Sequence, residues 1–257
     1  MSAVSDQPTE GERKLRAILR AVLSSGVWAL ILIHVASALP VRLGWFGEVS
    51  DQVPWPRAFW SGFLLAAVLY VEAGLYTMLA RTREAVSAPD VFRASASVFP
   101  RFLWLILKTA GFFMLILLTV VIFVSMVLST LGYGDAEAIK PLMEGPFRLI
   151  LLLLPALLVW WLPWVFTRQD FSLFSTLKSA IQQLWREPAR TLYVILLALA
   201  PAALLLVWAE QINLWMLTAL EAFGLLCVWS ANIYCVEWWR DAAGDTRAVT
   251  GTQTPAP

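Results

Sequence analysis

The chain has 257 residues, of which 60% are hydrophobic and only 14% are charged. A soluble domain carries roughly 45–50% apolar and about 25% charged residues, so this chain has too few polar side chains to cover a water-facing surface. Its net charge of +1 gives no general attraction to nucleic acid, and we expect no nucleic-acid partner. The composition predicts an integral membrane protein whose main partner is the lipid bilayer.

Six apolar stretches are candidates for membrane spans, since crossing the hydrocarbon core takes roughly 20 apolar residues. In chain order they lie near residues 26–41, 59–80, 102–131, 147–167, 191–209 and 214–238. The first is short for a span, and the third is long enough to tilt in the bilayer. We therefore predict an all-α fold, a polytopic transmembrane bundle of about six helices. It forms a single transmembrane domain over residues 11–241, with disordered tails at 1–10 and 242–257.

The first apolar stretch has an alternative interpretation as a secretory signal peptide. It follows a basic segment and ends near Ala36-Ser37-Ala38, which resembles a cleavage site. The polar leader before it is long for a signal peptide, so we expect an uncleaved span. Both interpretations give the rest of the chain the same orientation.

The distribution of Lys and Arg predicts the orientation of the spans. The N-terminal segment, the loops after the second and fourth stretches and the C-terminal tail hold fourteen of them: Arg13, Lys14, Arg16, Arg20, Arg81, Arg83, Arg93, Arg101, Arg168, Lys178, Arg186, Arg190, Arg240 and Arg247. The opposite loops hold four, Arg42, Arg57, Lys140 and Arg148. Because cytoplasmic loops carry the excess of basic residues, both termini are predicted to be cytoplasmic.

Each of the three basic segments that lead into an odd-numbered stretch has the apolar spacing of an amphipathic helix. The segments cover residues 15–23, 91–99 and 174–185. A basic amphipathic helix beside a membrane tends to lie in the interfacial plane. We therefore predict three helical hairpins, each preceded by a cytoplasmic interfacial helix. The alternative is that any loop next to a membrane shows some amphipathicity.

Helix-breaking residues mark the predicted ends of these interfacial helices. Ser24-Ser25-Gly26 follows the first, Pro100 the second and Pro188 the third. Asp90 and Asp170 are the predicted N-caps of the second and third. Each interfacial helix is thus predicted to end before the span that follows it.

The third interfacial segment and the start of the next span carry a family resemblance. Residues 174–185 have the sequence Phe-Ser-Thr-Leu-Lys-Ser-Ala-Ile-Gln-Gln-Leu-Trp, and after a break Thr191 begins Thr-Leu-Tyr-Val-Ile-Leu-Leu. This pattern resembles small six-helix bacterial inner-membrane proteins related to the membrane domain of glycerophosphodiester phosphodiesterases, in which a Leu-Lys-x-Ser/Ala helix precedes a span. The resemblance implies a multi-pass protein of the bacterial inner membrane. It implies no phosphodiesterase activity, because the sequence contains no such catalytic domain.

Four ionisable residues stand out inside predicted spans, where charge is costly and functional sites are often found. Glu72 and Lys108 lie about 13 Å and about 10 Å from the predicted cytoplasmic edge. They could form an ion pair, unless Lys108 extends to the headgroups instead. His34 and Glu221 each lie about 10 Å from the outer edge, where such a pair could relay protons. The alternatives are a His34 bonded to a backbone carbonyl and a Glu221 that is protonated or bonded to a neighbour. Asn232 is a candidate for a hydrogen bond between helices.

The sequence contains no recognisable catalytic, cofactor or metal site. GxGxxG, P-loop, GxSxG, HExxH and CxxC motifs are missing, and His34 is the one histidine. Cys227 and Cys235 lie about 12 Å apart along one predicted helix, too far for a disulfide. We therefore expect no catalytic residue, no cofactor and no metal.

Tryptophans cluster near the predicted ends of the fourth and sixth spans. We predict that they form interfacial belts, with an aromatic ligand cage as the alternative: Trp160, Trp161, Trp164, Trp238 and Trp239.

The functional expectation is a non-enzymatic, multi-pass protein of the bacterial inner membrane that supports envelope or lipid organisation or a membrane complex. A membrane protein or a second copy of the chain is the candidate protein partner. The alternative is a small permease or proton-coupled transporter that uses the intramembrane Glu, Lys and His residues. A membrane-bound lipid enzyme is a third and weaker alternative.

Overall fold

The computed structural model describes residues 10–43, 45, 55–130, 157–208 and 213–250. Within these ranges the chain forms eight helices and no strand, which confirms the predicted all-α class. The helices are α1 (Glu10–Val22), α2 (Ser25–Arg42), α3 (Trp55–Arg81), α4 (Ala88–Thr130), α5 (157–168), α6 (Leu173–Arg186), α7 (Pro188–Trp208) and α8 (Leu214–Thr250).

Three helices of the described chain are long and apolar enough to cross a membrane, namely α3, α4 and the Leu214–Arg240 part of α8. A fourth candidate exists if Leu15–Val22 and Ser25–Pro40 count as one span broken by a 46° bend. The Pro188–Pro201 part of α7 is apolar but shorter. Such helices suggest membrane insertion. Residues 147–156 of the predicted span at 147–167 lie outside the described residues, and six spans in three hairpins stay a prediction.

Two of the three predicted breaks after amphipathic segments are confirmed, and the break at Pro100 is wrong. α1 ends at Val22 before α2 begins at Ser25, and Pro188 is the first residue of α7, where its missing N–H costs little. α4 instead runs unbroken through Pro100 for 43 residues. A proline removes one backbone donor, and burial of Phe102 beyond it outweighs that loss.

The predicted N-caps lie a few residues from the real ones. α4 begins directly after Ser87, whose Oγ accepts the N–H of Asp90 at 3.3 Å and donates to the Asp90 carboxylate at 2.5 Å. Ser87 is therefore the N-cap of α4, and its hydroxyl group also bonds to the Asp90 side chain. Asp170 accepts the N–H of Ser172, which is itself the residue that precedes α6. Both aspartates therefore organise a helix start without being its cap.

α8 extends beyond the end that the sequence predicts. It continues to Thr250 and so includes residues 242–250, which we predicted to belong to a disordered tail. A helix already nucleated by a packed segment elongates at little cost, and this stretch contains three alanines. Residues 1–9 and 251–257 lie outside the described residues.

The buried core lies at one end of the helices. We call it the basic end, because the arginines near it are Arg81, Arg83, Arg101, Arg168 and Arg240. In α3 the buried residues begin at Val71, and in α8 the buried tryptophans are Trp229, Trp238 and Trp239. The opposite halves of α3 and α4 expose large apolar side chains such as Phe123. This division is typical of helices that share protein contacts at one end and face lipid at the other.

Candidate functional site

An ion-pair network joins α8 to the end of α3 at the basic end. The buried Glu237 carboxylate accepts from Arg240 Nη1 at 2.7 Å and lies 3.1 Å from Arg83 Nε. Arg240 also donates through its other terminal nitrogen to the carbonyl oxygens of Leu79 and, at 3.1 Å, Thr82. Carbonyls in the last turn of a helix have no partner within that helix, so Arg240 satisfies groups that α3 leaves open.

Sequence reasoning missed this network, although a signal for it exists. Glu237 and Arg240 lie three residues apart near the end of the apolar run of α8, the spacing that places two side chains on one helical face. That spacing indicates an ion pair at a span end. It contains no information about Arg83 or the α3 carbonyls, which lie more than 150 residues away in sequence.

The tryptophans predicted to form interfacial belts pack inward instead. Trp160, Trp238 and Trp239 are buried, and the ring centroids of Trp160 lie 5.0 Å and 4.9 Å from those of the other two. Trp164 adds a further edge-to-face contact with Trp239 at 4.6 Å. A belt faces lipid, whereas these rings fill the space between α5 and α8. The prediction is wrong because position along a helix does not reveal which face packs.

Hydrogen bonds from indole nitrogens attach the amphipathic α6 to this cluster. Trp161 Nε1 donates to Thr176 Oγ1 at 3.0 Å, and Trp160 Nε1 donates to the Ala180 carbonyl at 3.3 Å. Trp238 Nε1 donates at 3.3 Å to the side chain of Glu187, the C-cap residue that follows α6. Buried indole N–H groups normally need such partners, and here the partners hold α6 against α5.

Asn232 lies in the interior of the bundle and accepts a hydrogen bond between helices. Tyr76 on α3 donates from its hydroxyl to Asn232 Oδ1 at 2.7 Å. The Tyr76 ring stacks on Phe166 with 5.0 Å between centroids and also lies 5.0 Å from Trp229. Asn232 therefore has the interhelical contact that the sequence suggested for it, and the contact couples α3, α5 and α8.

Tyr76→Phe is expected to lower the free energy of unfolding by about 1–2 kcal/mol, because it leaves the buried Asn232 oxygen without its donor. The measurement is reversible unfolding in mixed micelles, followed by circular dichroism. Tyr193→Phe is the control, since Tyr193 is exposed and its hydroxyl makes no hydrogen bond with a described residue. Equal losses for the two variants would contradict a specific role for the Tyr76–Asn232 bond.

The structure brings His34 and Glu221 together. His34 Nε2 on α2 lies 3.7 Å from Glu221 Oε1 on α8. The Glu221 side chain is mostly buried and that of His34 is partly exposed. The predicted match in depth therefore corresponds to a real contact between a titratable nitrogen and a carboxylate within the apolar part of the bundle.

Glu72 and Lys108 are not brought together. Lys108 Nζ lies 5.2 Å above the ring of Trp104, one turn earlier on the same helix, and its side chain is exposed. Glu72 makes no hydrogen bond or ion pair with any described residue. The two residues match in depth, but Lys108 lies on the outward face of α4. The hypothesis of an ion pair between them is therefore not supported by the geometry.

Comparisons with protein-family models, with curated proteins and with solved structures find no match to this chain. In the part of the chain that the structure describes, no group of three or more His, Cys, Asp or Glu side chains could hold a metal ion. The interpretation of the site consequently depends on its own geometry.

Proposed function

We propose that this chain is a multi-pass protein of the bacterial inner membrane that organises lipids at the cytoplasmic leaflet and catalyses no reaction. It would cross the bilayer six times as three hairpins, with both termini cytoplasmic and a helix lying on the cytoplasmic surface before each hairpin. The charge distribution along the sequence supports this orientation, since the basic end would then face the cytoplasm.

The observation that carries the proposal is the exposure of bulky apolar side chains on α1 and α6. Each of these short helices is attached to the bundle, yet Leu23 just after α1 is 70% exposed and Trp185 on α6 is 77% exposed. Leu19 and Phe174 are exposed beside them. In water such surfaces are unfavourable, whereas at the headgroup–acyl boundary they gain free energy by insertion into lipid.

The attachment of α6 supports a lipid-organising role. Its buried face, formed by Leu173, Thr176 and Ala180, packs on the bundle, and the tryptophan N–H bonds hold it there. The exposed face is thus presented in a fixed orientation. A rigid helix can impose order on neighbouring acyl chains because it loses little conformational entropy on insertion.

A vesicle experiment tests the proposal. The full-length protein, reconstituted with a fluorescent probe of lipid order, is expected to raise the order in the leaflet that contacts the basic end. Phe174→Ala/Trp185→Ala should abolish most of this increase. Trp55→Ala/Phe59→Ala is the matched control, because it removes the same two residue types from exposed positions on α3, far from α6 in the sequence. The control should keep the increase.

Two results would overturn the proposal. One is an unchanged lipid order with the wild-type protein, and the other is an equal effect of both double variants. Labelling of single cysteines introduced at the termini tests the topology separately, with labelling from the cytoplasmic side as the expected outcome. If the wild-type protein orders no lipid but co-purifies stoichiometrically with one membrane protein, its role is that of a complex partner.

A second candidate function is proton-coupled transport, favoured by the contact between His34 and Glu221. A histidine and a carboxylate 3.7 Å apart inside a bundle can form part of a proton path. If the chain is a permease, Glu221→Gln should abolish proton flux into vesicles that contain a pH-sensitive dye. Glu84→Gln, in the exposed loop after α3, should leave the flux unchanged. Absence of flux with the wild-type protein would eliminate this candidate.

A further inference from the structure

A cavity of about 240 Å³ opens at the basic end between α3, α4 and the turn after α5. Arg81 reaches it from α3 and Arg101 from α4, while Gln169 lines it from the turn. Phe166 and Phe171 also line it, and their rings meet edge to face with 5.5 Å between the centroids. Two basic residues, a glutamine and two aromatic residues therefore line one cavity.

The two arginines in this cavity differ from the other arginines nearby. Arg83 and Arg240 pair with Glu237, and the guanidinium of Arg168 stacks on Trp164 at 4.8 Å. Neither Arg81 nor Arg101 lies within 4 Å of a carboxylate oxygen of any described residue. Two guanidinium groups that line one cavity favour an anion between them.

Gln169, which also lines the cavity, has an unfavourable backbone conformation. α5 ends in a Schellman motif, in which Gln169 N–H bonds to the Phe166 carbonyl and Asp170 N–H to that of Val165. Gln169 occupies the left-handed position of this motif with φ of 54°, where glycine is the usual residue. Glutamine there costs conformational energy, and its side chain carries an N–H₂ group that can donate to a ligand.

We infer that this cavity binds the phosphate headgroup of an anionic phospholipid. Arg81 and Arg101 would hold the phosphate oxygens through their N–H donors, with the Gln169 amide as a third contact. Phe166 and Phe171 would cover the glycerol and the upper acyl carbons, which a free phosphate ion lacks. Basic pockets between membrane helices commonly hold such headgroups. The inference builds on the proposed lipid role and names the class of lipid.

The binding test uses the full-length protein in detergent, titrated with phosphatidylglycerol and analysed by native mass spectrometry. Arg81→Gln/Arg101→Gln is expected to lower the affinity for the most tightly bound phosphatidylglycerol by about tenfold or more. The matched control is Arg93→Gln/Arg186→Gln, which removes the same charge from exposed positions that do not line the cavity. The control should leave that affinity nearly unchanged. Equal weakening by both double variants would indicate general attraction of charge and overturn the inference.

Two further titrations separate the sources of the phosphate group. Phosphatidylcholine should bind more weakly than phosphatidylglycerol, and inorganic phosphate should not displace the bound lipid. Equal affinity for phosphatidylcholine would overturn the inference. Displacement by inorganic phosphate would assign the cavity to a soluble phosphate and overturn the lipid assignment.

The Gln169→Gly variant separates a loss of lipid binding from a loss of stability. Glycine relieves the left-handed conformation, so the variant should unfold at the same or a higher denaturant concentration than the wild type. It should nevertheless bind phosphatidylglycerol several-fold more weakly, because one donor is lost. Unchanged binding would exclude Gln169 from the site. Normal topology and lipid ordering with no effect of any cavity variant on binding would refute this inference and leave the proposed function standing.

Discussion

Gly74→Ala is expected to destabilise the chain by about 3 kcal/mol or more, because the new methyl group has no space to occupy. A Cβ at this position would overlap the carbonyl oxygen of Val91 and the Oγ atom of Ser95. The first of these is a backbone atom of α4, which cannot rotate away. α3 and α4 would therefore have to separate along the part of the bundle where both contribute to the core.

Two glycines on the same helices serve as controls for this prediction. At Gly62 on α3 and Gly111 on α4, an added Cβ would have no heavy atom within 4 Å apart from the local backbone of its own helix. Alanine at either position should be neutral or stabilise the helix by up to about 1 kcal/mol, through its better helix propensity. The measurement is reversible unfolding in mixed micelles. A Gly74→Ala protein as stable as the two controls would show that α3 and α4 are not packed this closely.

The helices could be predicted from the sequence because their signals are local. A run of apolar residues about 20 long gives α3 and the apolar part of α8, and the spacing of apolar residues gives α1 and α6. Pro188 predicts a helix start, because a proline at the first helical position lacks a backbone N–H that would have no partner there. Pro100 has the same chemistry but lies inside α4, because burial of the residues around it decides the outcome. Burial is a tertiary property that a local pattern does not contain.

The sequence predicts how deep the candidate side chains lie along the spans, but not the direction in which they point. A rise of 1.5 Å per residue predicts how far a side chain lies along a span, and it matched His34 with Glu221 as well as Glu72 with Lys108. Only His34 and Glu221 are in contact, since contact also requires that both side chains point toward each other. The rotation of a helix about its axis, which sets the direction of its side chains, depends on packing with helices that are distant in sequence. The inward-packed tryptophans show the same limit, and so does Arg240, whose partners on α3 are remote in sequence.

Arg240→Ala is the second change with a large expected effect, a loss of about 3 kcal/mol in the free energy of unfolding. The substitution deprives Glu237 of its closest cation and leaves the carbonyls of Leu79 and Thr82 without the donor that satisfies them. Glu237 is only 9% exposed, so water cannot replace the lost contacts. The change should show as a lower unfolding midpoint in mixed micelles.

Comparison with an exposed ion pair separates burial from charge as the cause of this loss. Arg93 pairs with Asp90 at 3.3 Å, but the Arg93 side chain is 81% exposed, and Arg93→Ala should cost less than about 0.5 kcal/mol. Arg240→Lys should fall between the two, since one ammonium group keeps the charge but cannot reach the carboxylate and both carbonyls at once. If Arg240→Lys is as stable as the wild type, charge alone holds α8 to α3. If Arg240→Ala costs no more than Arg93→Ala, the network does not fasten these helices, and their attachment depends on the aromatic packing between α5 and α8.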